Sequence, residues 1–301
     1  MKCIYVIGNV KLHLAGFPPF VSVVLFWRID IKYVQKKPVL RTIKLRIKTN
    51  FEQPGIVRCF AAVLLFGQVW LHLLQGKTYY RKILQHMVTA GPGSISPVLL
   101  VSGFAGMICT LQMARELIRF GAINALGGAF ALAFCRELAP ILTASIMAGQ
   151  VGSAFAAEIG AMRVTEQIDA LYMLKTDPID YLVVPRVIAC SLMMPLMTIL
   201  ALVTGIIGGV FAASKFYRII PETFLESVRD FLEPSDLFII LLKGFIFGVL
   251  VAVIGCSWGL TTKGGAKEVG ESATKAVVAS WISIFVMDLF LSLLLFEQPG
   301  F

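Results

Sequence analysis

The sequence predicts an all-α integral membrane protein with about five transmembrane helices. Three observations lead to that class. Of 301 residues, 57% are hydrophobic, and the 26 glycines bring the apolar share to roughly two thirds, against ~45–50% in soluble domains. Charged residues make up only 15% and mean hydropathy is +0.82. Five segments reach the ~20 mostly apolar residues that a helix needs to cross the hydrocarbon core. The same figures exclude a disordered chain, a collagen-like chain and a secreted disulfide scaffold.

Residues 1–50 form a basic extension with ten Lys/Arg and a single acid, Asp30, while residues 51–301 sum to zero charge. This pattern reads as a cytoplasmic polybasic arm beside an anionic leaflet. No folded basic module or aromatic platform accompanies it, so nucleic acid is not an expected partner. Residues 12–27 are apolar, but Pro18-Pro19 interrupts any helix there. An amphipathic helix follows at about 56–75. Its apolar run is short for a span and is flanked by Arg58 and His72, which suits a helix lying in the membrane interface.

The spans are expected at about 95–114, 122–149, 187–213, 237–260 and 276–296. With the N-terminus inside, twenty Lys/Arg fall on the cytoplasmic side and five on the far side. That bias puts the C-terminus outside. Small residues recur every fourth position at Ala144, Ala148, Gly152 and Ala156, and again at Ala201, Gly205, Gly209 and Ala213. Such rows let helix backbones approach closely in lipid, either within one subunit or at a homodimer seam.

Four ionisable residues fall inside apolar spans: Arg136, Glu137, Lys243 and Asp288. A charge at the bilayer centre costs ~2.5–3.5 kcal/mol even on lenient scales, so such groups face a partner or a cavity. Arg136 and Glu137 are neighbours and point about 100° apart on a helix, so they do not neutralise each other. Lys243 and Asp288 can pair. These four residues read as structural ion pairs or as the lining of a substrate path.

Between the second and third spans, residues 154–186 carry a cytoplasmic segment. Gly160 is expected to end the preceding helix. From Met162 to about Leu174, Val164, Ile168 and Leu171 mark an apolar face opposite Arg163, Glu166 and Asp169. Asp177-Pro178 reads as N-cap and first turn, with Asp180 favouring the helix dipole. The segment is either a solvated interfacial loop or a docking helix for a cytoplasmic partner. Gly264-Gly265-Ala266-Lys267-Glu268-Val269-Gly270 reads as a flexible turn.

No catalytic or metal chemistry is evident. Gly76-Lys77-Thr78 lacks the first glycine of a phosphate-binding loop, which would fall at Leu71. The six cysteines form no C-x-x-C pair, the three histidines do not cluster with them, and no G-x-S-x-G pattern is present.

Several motifs together resemble one family. Arg136-Glu137-Leu138-Ala139-Pro140, Ala148-Gly149-Gln150-Val151-Gly152-Ser153-Ala154, the run 157–171, Asp177-Pro178 and the stretch 181–186 are similar to MlaE/YrbE permeases of lipid-moving ABC transporters. The stretch 255–278 resembles their cyanobacterial and plastid branch. The likeness covers about residues 55–301, so 51–301 reads as an MlaE-type permease domain. It implies a non-enzymatic subunit that binds no cofactor, with ATP and Mg used by a separate ABC ATPase. It further implies a homodimer, an MCE-domain partner on the far side, and a phospholipid or glycolipid as cargo. Arg136, Glu137, Lys243 and Asp288 then match charges near the lipid cavity. Glu158, Arg163, Glu166 and Asp169 match polar positions of the ATPase-docking coupling helix. Ala148, Gly152, Gly205 and Gly209 serve helix packing. The setting implied is a cyanobacterial inner membrane or a plastid inner envelope, with the N-terminus on the ATPase side. Two other classes stay open: an ion-coupled secondary transporter using the four charges as a relay, and a membrane scaffold in which they only hold subunits together.

Overall fold

A computed structural model describes residues 5–7, 10–12, 55–74 and 80–296. The remainder of the basic extension and the Gly76-Lys77-Thr78 turn lie outside the described residues. The chain divides into two units, Met1–Glu52 and Gln53–Phe301. Within the first, strands β1 (Tyr5–Ile7) and β2 (Val10–Leu12) pair antiparallel, with Tyr5 opposite Leu12.

The second unit is built of helices joined by short turns among its described residues. Its elements are α1 (Gly55–Leu74), α2 (Tyr80–Arg119), α3 (Ile123–Val164), α4 (Gln167–Met173), α5 (Ile179–Tyr217), α6 (Pro221–Phe231), α7 (Pro234–Leu260) and α8 (Ala266–Phe296). Among the described residues, α2, α3, α5, α7 and α8 are long and apolar enough to cross a membrane, as the hydropathy pattern predicts. The chain is an integral membrane protein with five candidate spans among its described residues. Helices α3 and α7 are the most enclosed. Helices α2 and α8 turn most of their apolar surface outward, with Phe104, Ile108, Phe285 and Phe290 exposed.

Close backbone approach holds the bundle together. On α2, Ala90, Ser94, Val98, Ser102, Gly106, Thr110 and Ala114 form a buried row of nearly all small residues, one every fourth position, with Gly91 buried beside it. That row lies on α5. A Cβ on Gly106 would overlap the Gly205 carbonyl, and Ser102 Oγ and Thr204 Oγ1 share a hydrogen bond of 2.6 Å beside it. The predicted row on α3 behaves alike: Ala144, Ala148, Gly152 and Ala156 are all buried, and a Cβ on Gly255 of α7 would come 2.6 Å from the Gly152 carbonyl. Gly209 is closed over by Thr110 and Phe130. The neighbouring row on α3 is more open. Gly149 is exposed and a Cβ there would meet nothing within 4 Å.

The structure corrects three expected boundaries. Helix α3 does not end at Gly160 but continues to Val164. Gly160 lies against Thr262 and Val269, so the missing side chain serves packing. The break falls at Thr165–Glu166, where Glu166 adopts a left-handed conformation with φ 60°. Helix α8 begins at Ala266, so the expected flexible turn contributes its first turn. Gly265 N–H donates to Glu268 Oε2 at 2.7 Å, which caps that helix. Helix α2 extends back to Tyr80 through Pro92 and Pro97. At 40 residues it is ~60 Å long, about twice the hydrocarbon thickness, so one end projects beyond the membrane.

Candidate functional site

The intramembrane charges form one cluster. Residues Phe134–Leu138 of α3 make a π-helical turn, a local widening frequent at functional sites. Pro140 has no N–H for the carbonyl four residues earlier. That carbonyl, Arg136 O, accepts instead from Lys243 Nζ of α7 at 2.8 Å. The lysine is fully buried. It also donates to Glu137 Oε2 at 3.1 Å and Ser292 Oγ at 2.9 Å, and lies 2.9 Å from Asp288 Oδ1. Ser292 Oγ in turn donates to Glu137 Oε1 at 2.8 Å. One ammonium thus ties α3, α7 and α8 together.

Arg136 turns the other way, as the 100° argument requires. Its Nε donates to Asp236 Oδ1 at 2.7 Å. Asp236 is buried and also accepts the Glu233 N–H at 3.2 Å, completing the N-terminal cap of α7. The cluster formally sets three carboxyls against two cations. It is open on one side: the Arg136 and Glu137 side chains are 35% and 40% exposed on a single chain. A half-open carboxylate among apolar spans needs a polar cavity or another protein surface over it.

A second group lies at the other end of α3. The four polar positions of the predicted docking helix do not share one face. Arg163 Nη1 donates to Asp169 Oδ1 at 3.0 Å across the turn that Glu166 makes. Glu158 is engaged by Arg186 at 2.8 Å, away from α4. Beyond Asp169, Tyr172, Met173 and Leu174 are exposed, Met173 at 86%. Partial burial and the Asp177 carboxylate push the Tyr172 phenol above its usual range, so it remains a neutral hydrogen-bond donor. Asp177 accepts the Ile179 N–H at 2.9 Å, the cap that Asp-Pro predicts. Asp180 does not simply serve the helix dipole, since it pairs with His72 of α1 at 2.6 Å. His72, Asp177 and Asp180 bring their ligating atoms within 4.8 Å of one another. Each carboxylate there already has a structural partner.

Sequence reasoning missed Asp236, Ser292 and Arg186. Ser292 follows Asp288 by four residues, hence on the same helix face, which was a readable signal. Arg186 closes the quoted stretch 181–186 and only the fold reveals its burial. Asp236 completes the cap of α7, and only the fold brings it to Arg136.

Residues 83–294 match the family described as Permease MlaE. The chain is 56% identical over 243 residues to a probable ABC transporter permease of Synechocystis, covering 81% of this chain and 92% of that one. It is 44% identical over 245 residues to the chloroplastic protein Trigalactosyldiacylglycerol 1 of Arabidopsis thaliana, covering 81% and 70%. It is 41% identical over 248 residues to a probable ABC transporter permease of Pyropia yezoensis, covering 82% and 94%. With five candidate spans among the described residues and a family match over residues 83–294, the chain belongs to the MlaE permease family.

Proposed function

We propose that this chain is the membrane-spanning subunit of an ATP-driven ABC transporter that moves phospholipids or glycolipids between membranes. The observation that carries the reading is the half-open charge cluster. Among the described residues nothing covers Glu137 and Arg136 fully, so a second copy and a lipid headgroup between the copies are the natural cover. The homodimer places two such openings on a shared cavity. An MCE-domain partner on the far side receives or delivers the lipid.

Energy enters from a separate ATPase subunit. Helix α4 presents Tyr172, Met173 and Leu174 to it as an apolar tip, with Arg163, Glu166 and Asp169 around the tip as its polar contacts. An apolar tip ringed by charge is the composition of a protein contact, since a solvated loop gains nothing by exposing Met and Leu. The basic N-terminal segment and α1 lie on the ATPase side, with α1 in the interface. ATP-driven closure displaces α4, and the cavity alternates between states of unequal lipid affinity, because equal affinities would move nothing. The membrane is a cyanobacterial inner membrane or a plastid inner envelope.

The test is mild-detergent affinity purification of the tagged chain with mass spectrometry of proteins and lipids. The expected eluate holds a P-loop ATPase and an MCE-domain protein in fixed ratio, and an enriched phospholipid or galactolipid. A homogeneous permease with neither partner, under conditions that preserve other ABC complexes, overturns the reading.

A further inference from the structure

Arg186 sits at the start of the third span, just after Pro185, and its side chain is only 6% exposed. Its Nη1 donates to Leu182 O at 2.8 Å and its Nη2 to Glu158 Oε2 at 2.8 Å. The guanidinium carbon lies 5.6 Å from the centre of the Phe155 ring, and His86 of α2 meets that ring edge-on at 6.0 Å. Helices α2, α3 and α5 therefore meet around one buried cation.

The pair spans 28 residues of sequence, and everything between is the docking segment. Within it α4 is flanked by two left-handed residues, Glu166 at φ 60° and Lys175 at φ 59°. Two such bends on either side of a seven-residue helix are natural pivots. The exposed Arg163–Asp169 pair crosses the first pivot, and a pair so exposed adds little stiffness. The firmer closure lies outside both pivots, at the Glu158–Arg186 pair, whose arginine is buried while its carboxylate is half-exposed. With its ends joined, a push on the segment that reaches α3 or α5 bears on both helices together. With its ends apart, each helix is free to respond separately.

We propose that Arg186 is a positioning residue that clamps the base of the docking segment, so that movement of α4 is transmitted to the second and third spans together. This inference rests on the reading that α4 docks the ATPase. The chemistry favours a clamp over a mere packing contact. An arginine this buried is costly to desolvate and adds little net stability even when paired, yet its fork geometry fixes the relative placement of two chain segments.

Arg186→Gln removes the cation and leaves Glu158 half-exposed, where water solvates it, so the fold survives. Arg186→Lys keeps the charge and the pairing with Glu158. The experiment uses the co-purified complex in phosphatidylcholine–phosphatidylglycerol vesicles with a trace of tail-labelled phosphatidylglycerol. It measures lipid transferred per ATP hydrolysed. The expected result for Arg186→Gln is continued ATP hydrolysis with at least about a fivefold fall in that ratio, the size of a typical coupling term, and only partial recovery in Arg186→Lys, which restores the ion pair but not the two-pronged fork. An unchanged ratio in Arg186→Gln overturns the clamp. Proportional loss of hydrolysis and transfer in both variants, with loss of complex, assigns Arg186 a structural role only and also overturns it. If the wild-type chain brings down no ATPase, the docking reading itself fails, and the clamp falls with it.

Discussion

On the proposed reading, single residues divide between holding the bundle and serving a lipid cavity. Lys243 belongs to the first kind, since it joins three helices through four contacts and is fully buried. Lys243→Met strands two carboxylates inside the bundle. The expected cost is ~3–5 kcal/mol, the range for a broken buried pair, read as a lowered unfolding midpoint in detergent. Glu137 belongs to the second kind. Glu137→Ala leaves Lys243 paired with Asp288, so the complex is expected to persist while lipid transfer falls. Unchanged transfer would count against a cavity role. Much of this was legible in the sequence: four charges in apolar spans, two of them neighbours that cannot pair, and two on later helices that can. The partner of Arg136 was not legible, because Asp236 sits 100 residues away in a helix cap and local patterns carry no information about which cap meets which span.

Elements show where local rules win and where packing overrides them. Apolar runs predict the five spans because lipid makes length and hydropathy decisive. Helix ends are set by tertiary contacts, and Gly160 illustrates this: a residue that ends helices in solution is used here to let α3 lie close to Thr262 and Val269. The actual break, at Glu166, needs a left-handed residue that glycine would supply more cheaply. Glu166→Gly is therefore expected to keep the fold, relieving up to ~1–2 kcal/mol of strain, whereas Glu166→Lys or Asp169→Lys weakens ATPase retention if the charges contribute to docking. Met173→Asp is expected to weaken retention further, because it places a carboxylate at the centre of the apolar tip. Pull-down of the ATPase against each variant checks the order. The α2 row was equally readable at every fourth position. Gly106→Leu has no room against the Gly205 backbone, and overpacking of this kind costs at least ~1–3 kcal/mol, visible as a lower unfolding midpoint.

At the scale of the whole molecule, one chain presents a half-open charge cluster near one end of the spans and an apolar tip on the segment after α3. On the proposed reading, a second copy over the cluster and an ATPase on the tip turn them into a cavity and a lever, and native mass spectrometry is expected to find two copies of this chain per complex. The competing classes differ in what drives movement: an ion-coupled carrier draws on a gradient, and a scaffold moves nothing. The most direct test is lipid transfer from vesicles holding the purified complex to acceptor vesicles, with ATP and with an imposed proton gradient supplied separately. The account predicts transfer that requires ATP, persists when the gradient is collapsed, and falls with Glu137→Ala. Transfer that follows the gradient and ignores ATP would contradict it.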